Sequence, residues 1–170
     1  MQPTSRQPLF LVSGASCVGK TTACELLFRE ERDYLVLGCD LVWNDYYNTP
    51  DDGYRTFRRL WMNLCANVSQ IGKPCVLCGC CVPEQYEPLE ERGLFSATHY
   101  LALVADDDAL MSRMNRRGID AGTRKAHLDF NRWLRENGPG TEPAMTLLDT
   151  THLTPRQAAE KIDGWIRECM

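Results

Sequence analysis

The chain has 170 residues, 44% of them hydrophobic and 25% charged, the balance of one soluble globular domain rather than a disordered or fibrous chain. A formal net charge of −4 argues against a polyanion as main partner, so no nucleic-acid partner is expected. No apolar run approaches the roughly 20 residues that cross a bilayer and no secretory leader is visible, so a cytoplasmic protein without a membrane partner is expected.

Residues 1–7 (MQPTSRQ) lack periodicity and read as a tail on a single domain spanning 1–170. A buried strand is predicted over 9–13 (LFLVS), and it runs directly into GASCVGKT at 14–21. This stretch satisfies the phosphate-loop (Walker A) spacing of Gly, four residues, Gly, Lys and then Ser or Thr. Gly14 and Gly19 permit the turns that aim the amides of Ala15, Ser16, Cys17, Val18 and Gly19 at phosphate oxygens. A helix then follows, with Ala23, Leu26 and Leu27 on one face, and its N-terminus around Lys20, Thr21 and Thr22 adds a partial positive charge. Lys20 is expected to reach the outer phosphates and the Thr21 hydroxyl to hold magnesium, which makes ATP and magnesium the expected ligands.

The second strand is predicted over 34–39 and delivers Asp40 to its carboxyl end, where an open α/β sheet forms its ligand crevice. Asp40 is also placed to cap a following helix. The next segment carries Trp43, Tyr46, Tyr47, Tyr54 and Trp61 among Arg55, Arg58 and Arg59. Aromatics of this kind suit a flat or apolar ring, with Trp43 and Tyr46 as the lining candidates and Trp61 as core. A helical stripe of Phe57, Leu60, Trp61, Leu64, Cys65 and Val68 places one face of the segment after Gly53 in the core.

The third strand, 74–80, contains Cys75, Cys78 and Cys80 and ends without a carboxylate. Residues three apart on a strand point to opposite faces, so Cys75 and Cys78 do not form a zinc pair, and the nine cysteines are expected to be reduced. The fourth strand is predicted over 98–105. After it a helix opens on Asp106, Asp107 and Asp108 and closes on Arg116 and Arg117 before Gly118, the charge order its dipole favours. Arg113 and Arg117 stand four apart and share a face. Residues 113–124 form the expected lid region, hinged over Gly118–Gly122, before a helix marked by Ala126, Phe130, Trp133 and Leu134. The histidines His99, His127 and His152 have no ligand spacing. A fifth strand is predicted over 145–149. Thr154 with Gln157 then forms a capping box with Pro155 at the first helical position of the last helix. Strands alternating with helices give an α/β fold, a five-stranded parallel sheet covered on both faces.

GASCVGKT at residue 14, Asp40 in LGCD, RMNRRG at residue 113 and DTTHLTP at residue 149 together resemble the P-loop nucleoside and nucleotide kinase-like family. Within it the resemblance is to small-molecule kinases such as chloramphenicol phosphotransferase, shikimate kinase and gluconate kinase, and it covers almost the whole chain. It implies transfer of the γ-phosphoryl group of ATP to a hydroxyl of a small, ring-bearing acceptor. It further implies that Asp40 acts as general base or magnesium ligand, that Arg113 stacks on the base, and that Arg117 bears transition-state charge, with Arg116 and Arg124 as competitors. The chain departs from nucleoside monophosphate kinases after the third strand, where Cys78 to Pro83 stands in place of an Asp-Gly-x-Pro-Arg sequence. Arg58, with Arg55 and Arg59, keeps a phosphate acceptor open as the alternative. A nucleotide-binding regulator or slow ATPase is the non-kinase alternative. A monomer or a homodimer is expected.

Overall fold

In the computed structural model the described residues are 5–42 and 50–170, so Trp43, Tyr46 and Tyr47 lie outside them. Five strands, β1 (Leu9–Gly14), β2 (Leu35–Gly38), β3 (Cys75–Cys78), β4 (Thr98–Val104) and β5 (Met145–Asp149), form one parallel sheet in the order β2-β3-β1-β4-β5. Each expected strand is present, with ends shifted by a residue or two.

Side chains alternate across the sheet with period two, as a doubly covered sheet requires. Phe10 and Val12 of β1 and Leu101 and Leu103 of β4 pack with α1 (Lys20–Phe28), α4 (Asp107–Arg116) and α6 (Pro155–Cys169). Leu9, Leu11, Tyr100 and Ala102 face the opposite layer, built from α2 (Arg55–Val68), α3 (Pro83–Tyr86) and α5 (Ala121–Asn137). The stripe on α2 comes out as Phe57, Trp61, Met62 and Cys65, which are buried, whereas Leu64 is exposed. The expected capping box forms, with Thr154 and Gln157 closing it on α6, and the Asp106 side chain caps α4 by accepting the Ala109 amide.

Three side-chain ties hold the layers in register. Asn131, fully buried on α5, clamps the end of β4 by accepting the Ala105 N–H (3.1 Å) and donating to the Ala105 carbonyl (2.8 Å). Asp163 on α6 accepts from the Tyr34 hydroxyl at 2.6 Å and pairs with Arg32 at 2.8 Å, fixing the entry to β2. Cys24 of α1 and Cys78 of β3 are joined in a disulfide, which corrects the expectation that all cysteines are reduced. The reason lies in the fold: Cys24 is one turn after Lys20 on a helix packed over the sheet, and Cys78 ends the neighbouring strand on the same side. The remaining seven cysteines are free thiols.

Candidate functional site

β1 ends at Gly14, where φ is 148° and an added Cβ would sit 2.6 Å from the Leu103 carbonyl oxygen, so only glycine fits. Cys17 and Gly19 also take positive φ, at 67° and 106°. For Cys17 this is a sparsely populated conformation, of the kind that persists where the surroundings enforce it. The backbone therefore wraps into the expected loop and feeds α1. Lys20 folds back over that loop, its Nζ donating to the carbonyls of Gly14 (2.5 Å) and Ala15 (2.8 Å).

Around the loop lies a cavity of about 740 Å³. Ser16 to Thr22 form its floor, Asp40, Gly79 and Cys80 one side, and Arg113, Arg116, Arg117 and the Thr150–Pro155 turn the other. The expected residues Ser16, Cys17, Val18, Gly19, Lys20, Thr21, Thr22, Asp40, Arg113 and Arg117 thus converge. Arg113 reaches along α4 to donate to the carbonyls of Thr150 (2.8 Å) and Thr151 (3.0 Å), which fixes its guanidinium against the cavity wall. The buried Thr150 hydroxyl lies 2.9 Å from the Val18 carbonyl and locks the loop to β5. Sequence reasoning gave Thr150 no role of its own, although the DTTHLTP turn was its signal.

A second cavity, of about 570 Å³, lies between α1 and β2. Cys24, Phe28, Val36, Leu37 and Cys78 give it an apolar body, with Glu25 and Arg29 at its edge. Lys20, Thr21, Asp40 and Gly79 line both cavities, so the two meet where Asp40 leaves β2. Thr21 and Asp40 offer the hard oxygen donors that magnesium prefers, and both stand at this junction. Burial, together with the Asp40 carboxylate and the Cys80 thiol, pushes the Cys39 thiol up to about 12, so beside the site it is a neutral thiol.

Two expected residues stand elsewhere. Arg124 donates to Asn115 at 2.7 Å and lines a cleft between α4 and α5, because the lid region is reduced to a tight turn ahead of α5. Arg58 donates to the Gly53 carbonyl at 2.8 Å, at the start of its own helix, and lines neither of the two cavities. Conversely, His127 of α5 comes to the loop: Ser16 N–H donates to its Nδ1 (3.3 Å), and Ser16 Oγ lies 2.9 Å from its Nε2. Burial and the charge of Lys20 lower its pKa below the ordinary histidine value. Nothing in its sequence spacing connects it to a loop 111 residues away.

A family model described as an AAA domain matches residues 11–132. No curated protein matches the sequence. Among solved structures, a sugar kinase from Janibacter sp. HTCC2649 superposes with a TM-score of 0.69 at 17% identity, covering 95% of each chain. The tunicamycin resistance protein of Deinococcus radiodurans gives 0.65 at 21% identity over 95% of this chain and 96% of that one. A gluconokinase from Sinorhizobium meliloti 1021 gives 0.63 at 14% identity over 95% and 93%. At these identities the likeness is one of fold, and the family model reaches from β1 through the phosphate loop into α5. The chain therefore belongs to the AAA domain family and has the P-loop kinase-like fold.

Proposed function

We propose that the protein is a kinase that transfers the γ-phosphoryl group of ATP to a hydroxyl of a small, ring-bearing acceptor. The observation that carries this reading is the junction of two cavities at Lys20, Thr21 and Asp40, one floored by the phosphate loop and the other apolar. Similarity of fold to a sugar kinase and a gluconokinase supports it.

In this reading Lys20 and the loop amides other than that of Ser16, which donates to His127, bind the outer phosphates, while Arg117 offsets charge that develops on the transferred group. Arg113, held against the Thr150–Thr151 carbonyls, borders the place of the base. Thr21 and Asp40 would hold the magnesium ion, which, when bound, would neutralise phosphate charge. Asp40 also orients and deprotonates the acceptor hydroxyl. The apolar body of the second cavity accepts the ring of the acceptor. That lining, in which Arg29 is the only arginine among the described residues and Lys20 belongs to the phosphate loop, favours an uncharged alcohol over a phosphorylated acceptor.

The test is acceptor-dependent release of ADP, screened over nucleosides, ring-bearing antibiotics, sugar acids and nucleoside monophosphates. Stimulation by an alcohol and formation of its phosphate ester are expected. Stimulation by monophosphates alone would make the protein a nucleotide kinase, and release indifferent to every acceptor would make it a slow ATPase.

A further inference from the structure

The phosphate loop carries a tether outside its own motif. Ser16 N–H donates to His127 Nδ1, so that nitrogen is unprotonated, and the proton of the neutral ring therefore sits on Nε2, from which it donates to Ser16 Oγ. One imidazole thus holds one loop residue by its backbone and by its side chain. The ring is half-buried, and its helix is anchored one turn later by the Asn131 clamp on Ala105, on the same face of α5. The histidine is accordingly presented by a fixed element.

The loop needs such a hold at a particular moment. Cys17, a non-glycine residue, is held at a φ of 67°, so the loop conformation carries a local backbone cost. Lys20 stabilises it by bonding to the Gly14 and Ala15 carbonyls, but a lysine that turns to phosphate oxygens gives up those bonds. What then remains among the side-chain contacts of the described residues is Thr150 on the Val18 carbonyl, the Cys80 thiol on the Gly14 carbonyl (3.5 Å) and His127 on Ser16, of which only His127 meets both a backbone and a side-chain atom of one loop residue.

We propose that His127 is a positioning residue of the nucleotide site, which pre-organises the first half of the phosphate loop by holding Ser16 while Lys20 moves to the phosphates. Pre-organisation of this kind acts on affinity, because a ligand's apparent dissociation constant rises in proportion as the competent loop conformation becomes less populated. The inference rests on the reading of residues 14–21 as a nucleotide site and not on the identity of the acceptor.

The experiment is calorimetric titration of the full chain with Mg–ATP and Mg–ADP, beside thermal melting of each variant. Two lost hydrogen bonds to the loop predict that His127→Ala weakens both nucleotides about tenfold. His127→Gln, whose carboxamide supplies an acceptor and a donor without titrating, is expected to stay within about threefold of the wild type. Ser16→Ala, which keeps the amide and loses the hydroxyl, is expected to fall between them. In that background His127→Ala is expected to cost less than it does alone, since the two residues share an interaction. Should His127→Ala fail to fold, His127→Phe retains the ring volume without either nitrogen and takes its place. Wild-type affinity in the Ala or Phe variant, or a Gln variant that folds and binds as poorly as Ala, overturns the proposal. Absence of nucleotide binding by the wild type overturns the site reading itself, a different result from unchanged binding in the variants.

Discussion

Lys20, at the start of α1, and Asp40, just past the end of β2, are the two charged side chains common to the walls of both cavities. One carries the positive charge expected to meet the phosphates and the other the carboxylate expected to meet the acceptor. Their substitution should therefore produce different defects. Lys20→Ala is expected to lower turnover a hundred- to a thousandfold or more and to weaken Mg–ATP binding, because its ammonium acts on phosphate charge and lies outside the apolar core. Melting temperature near that of the wild type, with activity lost, is the expected pair of readings. Full activity in a folded variant would remove Lys20 from the site.

Asp40→Asn is expected to cut turnover about a hundredfold or more while ATP affinity changes little, the signature of a lost general base. Asparagine caps a helix nearly as well as aspartate, so a purely capping Asp40 would leave turnover and stability near wild type. A magnesium role gives a third result, partial recovery of the rate when magnesium is raised or manganese supplied. Turnover, ATP affinity and metal dependence measured on this one variant separate the three.

The disulfide between Cys24 and Cys78 spans 54 residues of sequence and borders the apolar cavity. A loop of that length predicts a loss of about 2–4 kcal/mol of unfolding free energy on reduction. Denaturant titration with and without dithiothreitol checks the magnitude. Thiol counting of the unreduced, denatured chain should find seven free cysteines, the nine of the sequence less the two joined. Nine reactive thiols would show the pair to be open.

Asp163 supplies a pH-dependent tie. Burial pushes its carboxyl up, but the hydrogen bonds from Tyr34 and Arg167 and the charges of Arg32 and Arg167 outweigh burial and hold it below the ordinary aspartate value. A carboxyl whose pKa is depressed by folding contributes stability above its ordinary pKa of about 3.9, and that stability is lost as the pH falls through the lower, folded value. Partial exposure screens these pairs, so Asp163→Asn is expected to cost only about 1 kcal/mol at pH 7. The variant should show a flatter loss of stability than the wild type on acidification below about pH 4, measured by urea unfolding across pH.

The sequence by itself determined the five strands, the phosphate loop, the placement of Asp40 at a strand end, the acidic start of α4 and the capping box of α6. Each of these is written in local terms: hydrophobic period, glycine spacing and the offset of a capping side chain. It also brought Arg113 and Arg117 onto one face of a helix, and the fold placed both at the cavity. Only the tertiary structure decided the rest. That Arg124 turns to Asn115, that Arg58 turns to Gly53, that Cys24 meets Cys78 and that His127 holds Ser16 depend on how helices seat on the sheet. Partners such as Ser16 and His127 stand 111 residues apart. Contacts over such separations are set by packing of the two layers against β1 and β4, and no local pattern of residue types encodes which side chains that packing brings together.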